Sequence, residues 1–202
     1  MGISAGALTS TASFRDWAPI DQGRALGDLQ TLVEEAINAA SNRIETACRR
    51  TFKQATHTAE VYSGTGSSLL RLRQAPITSV TAVAIGGSDL ATDSYEISPS
   101  ATALVYLGGS LDDLATSALV WPAGRRNITV SYVAGYVTTP IEVDIACRML
   151  ALRIIESKSP RSEEKARNDD TDALTGLPKD VWDLIRGYKF SEVSGVLTSS
   201  AA

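Results

Sequence analysis

The residues that most often perform catalysis or bind metal ions are scarce in this chain. Its 202 residues include one histidine, His57, and two cysteines, Cys48 and Cys147, which lie 99 positions apart. A single histidine excludes a histidine-rich metal site and leaves one candidate for a histidine-based triad. Two cysteines alone form neither a zinc site nor a disulfide framework. Because both fall within apolar helical patterns, we predict that they are reduced, small, buried hydrophobic residues.

Two further segments invite interpretation as functional sites. His57 has no sequence neighbour that would activate a nucleophile, and it lies between a predicted helix and a predicted strand, so we interpret it as a solvated or capping residue. Gly64-Thr65-Gly66 has the glycine content of a phosphate loop. It lacks a third glycine and a following Gly-Lys-Ser/Thr, and a predicted strand follows it where a phosphate loop needs a helix. We predict a hairpin turn there.

Acidic residues offer candidates for cation binding or acid–base catalysis. Asp112-Asp113 and Asp169-Asp170-Thr171-Asp172 carry ligands that suit a divalent cation. The second run lacks the glycine and distal glutamate of an EF-hand, so we interpret both as solvated loop residues. Glu34 and Glu35 are adjacent on a predicted helix and diverge, so they do not form a catalytic pair. We therefore predict no enzymatic activity, no cofactor and no metal ion.

Aromatic residues raise the possibility of nucleic-acid binding. Tyr95, Tyr106, Tyr132 and Tyr136 lie in or near predicted strands, where they are candidates for stacking on bases. Lysine and arginine are not interleaved with them, so packing within a sheet is the favoured interpretation. The chain has 19 basic and 23 acidic residues, a net charge of −4, spread evenly along its length. That distribution excludes the basic footprint of a tight duplex-DNA binder.

A predicted amphipathic helix positions the first cysteine. Nine apolar residues from Leu29 to Cys48 follow the 3.6-residue period, and Asp28 is the predicted N-cap. Arg49, Arg50 and Lys53 follow the helix. These cations could form a patch that faces DNA, or they could be solvated side chains that interact favourably with the negative end of the helix dipole. We favour the second interpretation.

Two more helices are predicted near the C-terminus. Thr139, Pro140 and Glu142 form a capping box with a proline at the first helical position, and this helix extends to about Ser157. A short amphipathic helix follows and ends near Gly187.

The middle of the chain has the pattern of short strands separated by glycine and proline. Strands that follow strands predict an antiparallel sheet or a small barrel and not a parallel βαβ sheet. The predicted strands are Glu60–Ser63, Leu69–Arg73, Ser79–Ile85, Ser94–Ile97, Ala103–Leu107 and Asn127–Val133.

These elements predict an α+β fold. A long N-terminal helix and the C-terminal helices form a helical body, into which the antiparallel β region is inserted. No leader peptide or membrane-spanning segment is evident, so we expect a soluble, cytoplasmic protein. The predicted divisions are an extended arm (1–25), the helical body (26–57 and 137–158), the β domain (58–136), a polar linker (159–178), and a short helix with a C-terminal tail (179–202).

Two segments together resemble a known family. The first is Arg73–Val83, which contains Pro76 and is followed by Gly86-Gly87. The second begins with Trp121-Pro122-Ala123-Gly124, continues through the strand Ile128–Tyr136 with its Ala134-Gly135-Tyr136 ending, and leads to the Pro140 helix. This pattern resembles the head–tail connector proteins (adaptors, or head completion proteins) of tailed phages and gene-transfer particles. The resemblance covers about Asp28 to Ser157.

The resemblance implies a structural virion protein. Relatives form a ring, usually twelve-fold, below the portal, where it extends the DNA channel and offers a surface for tail attachment. The implied partners are other copies of the chain, the portal, tail-completion or tail proteins, and genomic duplex DNA that passes without sequence-specific binding. A closed ring needs a head-to-tail interface. The implied location is the head–tail interface of the virion, after assembly in the host cytoplasm.

The C-terminal segment Val181–Leu197 carries aromatic residues with no evident core, and we hypothesise that it orders on contact with the portal. The predicted docking residues are Trp182, Ile185, Tyr188, Phe190, Val193, Val196 and Leu197.

Three alternatives remain open: a single-stranded nucleic-acid-binding protein that presents the tyrosines, a carboxylate enzyme, and another virion part such as a tail-completion or capsid-decorating protein.

Overall fold

The computed structural model describes residues 2–18, 26–108, 119–157 and 175–189, with side chains from residue 29 onward in the second range. Within these ranges the chain forms two compact units. The helical unit comprises residues 2–53 and 137–189, and the β unit comprises residues 54–136. Among the described helices, none combines the length and the apolar character that a membrane span requires.

The N-terminal residues of the helical unit fold into a helix. α1 (Thr11–Trp17) begins after Ser10, whose side-chain oxygen accepts a hydrogen bond from the Ser13 backbone N–H at 3.0 Å. Leu8 and Phe14 are almost completely buried. The Leu8 backbone N–H also donates to Ser41 Oγ at 3.1 Å. The expectation of an extended arm is therefore wrong for residues 2–18, because an N-cap and two apolar anchors favour a packed helix.

α2 (Leu26–Cys48) supplies most of the interior of the helical unit. Its first residue lies two positions before Asp28, so Asp28 is within the first turn and is not the predicted N-cap. One face of α2 is apolar at helical spacing and is buried against neighbouring helices. The buried apolar residues of that face are Leu29, Val33, Ala36, Ile37, Ala40, Ile44 and Cys48.

α3 (Ile141–Ser157) packs against α2. The Pro140 carbonyl accepts the first helical hydrogen bond, from the Asp144 backbone N–H at 3.0 Å, so the helix starts one residue later than predicted. Small residues on both helices, including Ala40 and Ala146, are fully buried and permit a close approach. Ser41 Oγ and Cys147 Sγ meet at 3.5 Å between the two helices. α4 (Lys179–Ile185) contacts α3 and is followed by a 3₁₀ turn, Arg186–Tyr188.

The cations after α2 do not share one environment. Arg49 has a left-handed backbone (φ 54°) and an exposed side chain. Arg50 is buried, and its guanidinium lies 5.1 Å from the centre of the Phe52 ring. Arg50 also donates to the Tyr188 carbonyl, with 3.5 Å between Nη1 and the oxygen. The prediction of three solvated cations is wrong for Arg50, which is stabilised by a ring and a carbonyl.

The described residues of the β unit form two antiparallel sheets. The strands are β1 (Ala55–Gly64), β2 (Leu69–Arg71), β3 (Ile77–Ile85), β4 (Ser88–Asp89), β5 (Tyr95–Ile97), β6 (Ala103–Tyr106) and β7 (Gly124–Ala134). The larger sheet has the strand order β1-β7-β3-β4, and the smaller has the order β2-β6-β5. The α+β class and the antiparallel pairing are confirmed.

The interior of the β unit is built on β7, which pairs with both β1 and β3. Alternate residues of β7 are buried, as period two requires for a strand with one face on a core. Trp121 is fully buried beside this strand, its indole N–H donates to the Leu104 carbonyl at 3.2 Å, and its ring lies 5.1 Å from that of Tyr106. The indole therefore fills the core without leaving a buried donor unsatisfied.

Candidate functional site

A network of hydrogen-bonded polar side chains lies in the β unit. Glu60 Oε2 accepts a hydrogen bond from the Tyr62 hydroxyl and lies 3.0 Å from the Tyr132 hydroxyl oxygen. The two hydroxyl oxygens are 3.1 Å apart. His57 Nδ1 lies 3.4 Å from Glu60 Oε1, and its ring stacks on Tyr132 with 5.0 Å between centres. His57 is therefore packed within the network and not a solvated cap.

A β-bulge brings these residues together. Residues three apart on a regular strand point to opposite faces. The register of β1 against β7 shifts between His57 and Glu60, and Ala59 within this shift has a left-handed backbone (φ 53°). The extra residue turns His57 and Glu60 toward each other. The Ala59 backbone N–H donates to Ser131 Oγ at 3.0 Å, which fixes the bulge.

Arg73 extends the network. Its Nη1 lies 3.7 Å from Glu60 Oε2, and its guanidinium carbon is 4.8 Å from the centre of the Tyr62 ring. Arg73 Nη2 donates to the Val61 carbonyl at 3.1 Å, and its backbone N–H donates to the Tyr62 hydroxyl at 3.2 Å. The sequence prediction missed Glu60 and Arg73. The signal that could have found Glu60 is its position two residues before Tyr62, on the same strand face.

The polar groups of this network bond mainly to one another, as in a structural hydrogen-bond network. Burial, followed by hydrogen bonding to Glu60 and Tyr132, raises the pKa of Tyr62 above its ordinary value. Burial is also the main cause that raises the pKa of Tyr132 to about 12. Both phenols are therefore protonated at neutral pH and act as donors rather than as bases. The Glu60 carboxylate is occupied by these donors, so the arrangement offers no poised nucleophile.

Three of the four tyrosines considered as base-stacking platforms pack in or against the core of the β unit. Tyr95 and Tyr132 are buried, and Tyr106 packs against Trp121. The prediction that they pack within a sheet is confirmed for these three. A single-strand binder needs exposed rings, so these three tyrosines do not support that alternative.

Gly64-Thr65-Gly66 is not a hairpin turn, because it connects β1 of one sheet to β2 of the other. The Gly64 N–H donates to Asn127 Oδ1 at 2.9 Å, and the Gly66 N–H donates to the Trp121 carbonyl at 3.1 Å. A Cβ at Gly64 would lie 1.9 Å from the Pro122 carbonyl oxygen. The glycine at 64 is thus required for close packing, and the Gly64 and Gly66 amides are bound within the protein instead of being free for a phosphate.

The cysteines and the glutamate pair behave as predicted. Cys48 and Cys147 are free and fully buried, and burial is the main cause that raises their pKa values to about 12 and about 11. Glu34 is buried and accepts from Gln30 Nε2 at 3.0 Å, whereas Glu35 is exposed. No group of metal-ligating residues occurs in the described part of the chain. Asp112-Asp113 and Asp169–Asp172 lie outside it.

The described part of the predicted docking segment is packed into the helical unit. Val181 and Ile185 are fully buried, and the Ile185 carbonyl lies 3.8 Å from Cys48 Sγ. Asp180 accepts two hydrogen bonds from Arg153, at 2.9 and 2.8 Å, which join α4 to α3. Ile185 is therefore a core residue and not part of an exposed docking surface. The sequence contains a pattern that could have predicted this burial. Leu177, near the end of the predicted linker, begins an apolar i, i+4, i+8 stripe that continues through Val181 to Ile185, and all three residues are buried.

The two described aromatic residues of this segment remain partly exposed. The Tyr188 hydroxyl donates to Glu142 Oε2 at 2.9 Å, and its ring lies 6.0 Å from that of Phe52. Trp182 lies under Lys189, whose Nζ is 5.7 Å from the centre of the indole. These contacts fix both rings at the surface of the helical unit. The other predicted docking residues, Phe190, Val193, Val196 and Leu197, lie outside the described residues.

Comparison with protein families gives the decisive observation. The sequence matches the family of head completion proteins over residues 7–189. The chain belongs to this family. The predicted relationship to head–tail connector proteins is thereby confirmed. A comparison with curated proteins finds no significant match.

Solved structures share the fold over nearly the whole chain. A chain in "Neck of empty GTA particle computed with C6 symmetry" has a TM-score of 0.54 and 19% identity, and the match covers 97% of each chain. A chain in "Neck of native GTA particle computed with C12 symmetry" has a TM-score of 0.52 and 18% identity, with coverage of 97% of this chain and 96% of that one. A chain of the virion of a native gene transfer agent (GTA) particle has a TM-score of 0.53 and 19% identity, with coverage of 98% and 96%.

Proposed function

We propose that this chain is a structural, non-enzymatic virion protein that forms a head–tail connector ring. The observation that carries the proposal is the family match over residues 7–189, together with a shared fold with chains of gene transfer agent necks. The ring binds below the portal, extends the DNA channel and provides the surface to which the tail attaches. The protein is made in the host cytoplasm and resides at the head–tail interface of the virion.

The ring is built from the helical unit. It has twelve copies, the symmetry with which one neighbouring neck was computed. A closed ring uses one face of each copy against a different face of the next. The helices offer a rigid body for such contacts because α2 and α3 share a closely packed interior. The net charge of −4 per chain suits a channel through which DNA passes without adhering.

The portal contact is formed by the partly exposed rings of Trp182 and Tyr188 and by the apolar residues Phe190, Val193, Val196 and Leu197. Ile185 is excluded because it is fully buried. Deleting residues 190–202 is the appropriate test, because it leaves the buried stripe of α4 intact. We expect portal binding in a co-sedimentation assay to be lost in this deletion and retained in Trp17→Ala, which removes an exposed aromatic residue of α1. Unchanged binding by the deletion would contradict the docking proposal.

Location tests the function as a whole. Negative-stain images of the purified chain mixed with portal, and of particles carrying a labelled chain, should show a ring at the head–tail vertex. A position on the capsid surface or along the tail tube would instead identify another type of virion component and overturn the connector proposal.

A further inference from the structure

A basic groove lies on the helical unit at the C-terminal end of α2. It has a volume of about 660 Å³ and is lined by α2, by residues just before α4, and by Lys189. Asn42, Arg43, Thr46 and Ala47 line it from α2 because residues i, i+1, i+4 and i+5 share one helical face. Arg49 follows the end of the helix, and Thr175 contributes from the opposite side.

The charge of this groove has one sign. Arg43, Arg49 and Lys189 supply three cations, and none of the described residues that line the groove is acidic. No ion pair to these three side chains occurs among the described residues. The C-terminal carbonyls of α2 contribute only about −0.5 of a charge. Three cations outweigh that partial charge, so the groove attracts anions.

The backbone places Arg49 at the groove, and a ring restrains Lys189 beside it. Arg49 occupies the residue after the helix end with a left-handed backbone (φ 54°), and its N–H donates to the Thr46 carbonyl at 3.2 Å. Glycine is preferred at such positions because a Cβ is strained there. The chain therefore carries an arginine where the backbone favours a residue with no side chain. Lys189 lies over the Trp182 ring, which restricts the ammonium group beside the groove.

The surroundings of the groove distinguish between anions. With a net charge of −4, the chain lacks the basic footprint of a tight duplex-DNA binder. The groove itself, a depression of about 660 Å³, admits the side chains of one extended peptide. Arginine guanidinium groups bind carboxylates through paired N–H donors. We propose that this groove binds an extended acidic segment of a partner protein through its carboxylates. The inference does not depend on the ring proposal.

Binding of a labelled hexaglutamate peptide to the full-length chain at low salt tests this site. We expect the triple variant Arg43→Gln, Arg49→Gly, Lys189→Gln to bind at least about tenfold more weakly, because three charge-assisted contacts are removed. Arg15→Gln, which removes an exposed cation of α1, should bind as the wild type does. Circular dichroism of the triple variant checks that it is folded. The single variant Arg49→Gly removes one cation and also relieves backbone strain. Weaker peptide binding by this single variant therefore cannot be explained by a loss of folding.

Three results would overturn the proposal. Equal peptide affinity in the triple variant and the wild type would show that the groove is not the site. Equal binding of a hexaglutamine peptide would show that carboxylates are not recognised. Tighter binding of a short DNA duplex than of the peptide, with loss in the triple variant, would assign the groove to nucleic acid instead.

Discussion

In the helical unit the fully buried side chains are mostly apolar, such as Ile37, Ala146 and Phe14, whereas in the β unit they include Trp121 and Tyr132, whose rings carry a polar group. The β unit also contains a polar network around Glu60, which must be satisfied for its core to be stable. Helices with small residues at their contact can approach closely, so the helical unit is stabilised by dense packing. The comparison teaches that the two units of this chain lose stability in different ways: the helical unit through loss of packing, and the β unit through loss of hydrogen-bond partners.

The largest loss of stability that tests this comparison is expected at Trp121 in the core of the β unit. Trp121→Ala should lower the free energy of unfolding by about 3–5 kcal/mol, because it leaves a cavity in the core. It also frees the Leu104 carbonyl that the indole N–H satisfies. Chemical denaturation followed by circular dichroism measures the loss. Trp17→Ala, which removes a ring that is 40% exposed, is the matched control. An equal loss in both variants would contradict the central role of Trp121.

The polar network gives the next largest effect. Glu60→Ala should cost about 1–3 kcal/mol, because one of the two phenols can donate to the other but the remaining hydroxyl loses its acceptor. Hydrogen exchange of β1 and β7 amides, together with denaturation, reports this change. Glu96→Ala on β5 removes an exposed carboxylate and serves as control. If Glu60→Ala were as stable as Glu96→Ala, the network would not stabilise the β unit.

A smaller, favourable effect is expected in the helical unit. Arg49→Gly should raise the free energy of unfolding by up to about 1 kcal/mol, because glycine tolerates the left-handed backbone without strain. Part of the gain is offset by the greater freedom of glycine in the unfolded chain. Arg49→Ala removes the same side chain but keeps the Cβ, so it should give no such gain. Equal stabilities of the two variants in thermal unfolding would show that strain at this residue is negligible.

The smallest effect depends on pH. Burial raises the pKa of the Asp180 carboxyl, but hydrogen bonds from Arg153 and from the Val181 N–H outweigh burial and hold the pKa below its ordinary value. A carboxyl whose pKa is lowered by folding stabilises the protein above the unfolded-state pKa of about 3.9, and that contribution is lost as the pH falls through the folded-state pKa. Since the pair is partly exposed, the contribution should stay below about 1 kcal/mol.

Asp180→Asn should therefore flatten the acid side of the plot of unfolding free energy against pH. Asp183→Asn is the control, because Asp183 lies 3.6 Å from Arg186 in a more exposed pair. Acid profiles that were identical for the wild type and Asp180→Asn would contradict the lowered pKa.

Much of the architecture could be predicted because periodicity is a local property of the sequence. The α2 face and the strands of the β unit follow from the spacing of apolar residues and from glycine-rich turns. The contacts around Glu60 could not be predicted, since they depend on a bulge that no local pattern specifies. The helix in residues 11–17 could not be predicted because its stability depends on burial of Phe14 and on contact of α1 with α2, which is distant in sequence. The groove beside Arg49 likewise depends on residues from three separate parts of the chain.

The placement of the two cysteines has a practical consequence. Both thiols of the chain lie in the helical unit, and both are fully buried with raised pKa values. A thiol reagent can reach them only after the helices separate, since the thiolate is the reactive form and neither sulfur contacts solvent. The wild-type chain therefore carries its own reporter of helix separation. The rate at which its cysteines are alkylated measures how often the helical unit alone opens. Any association that holds those helices together would slow the alkylation.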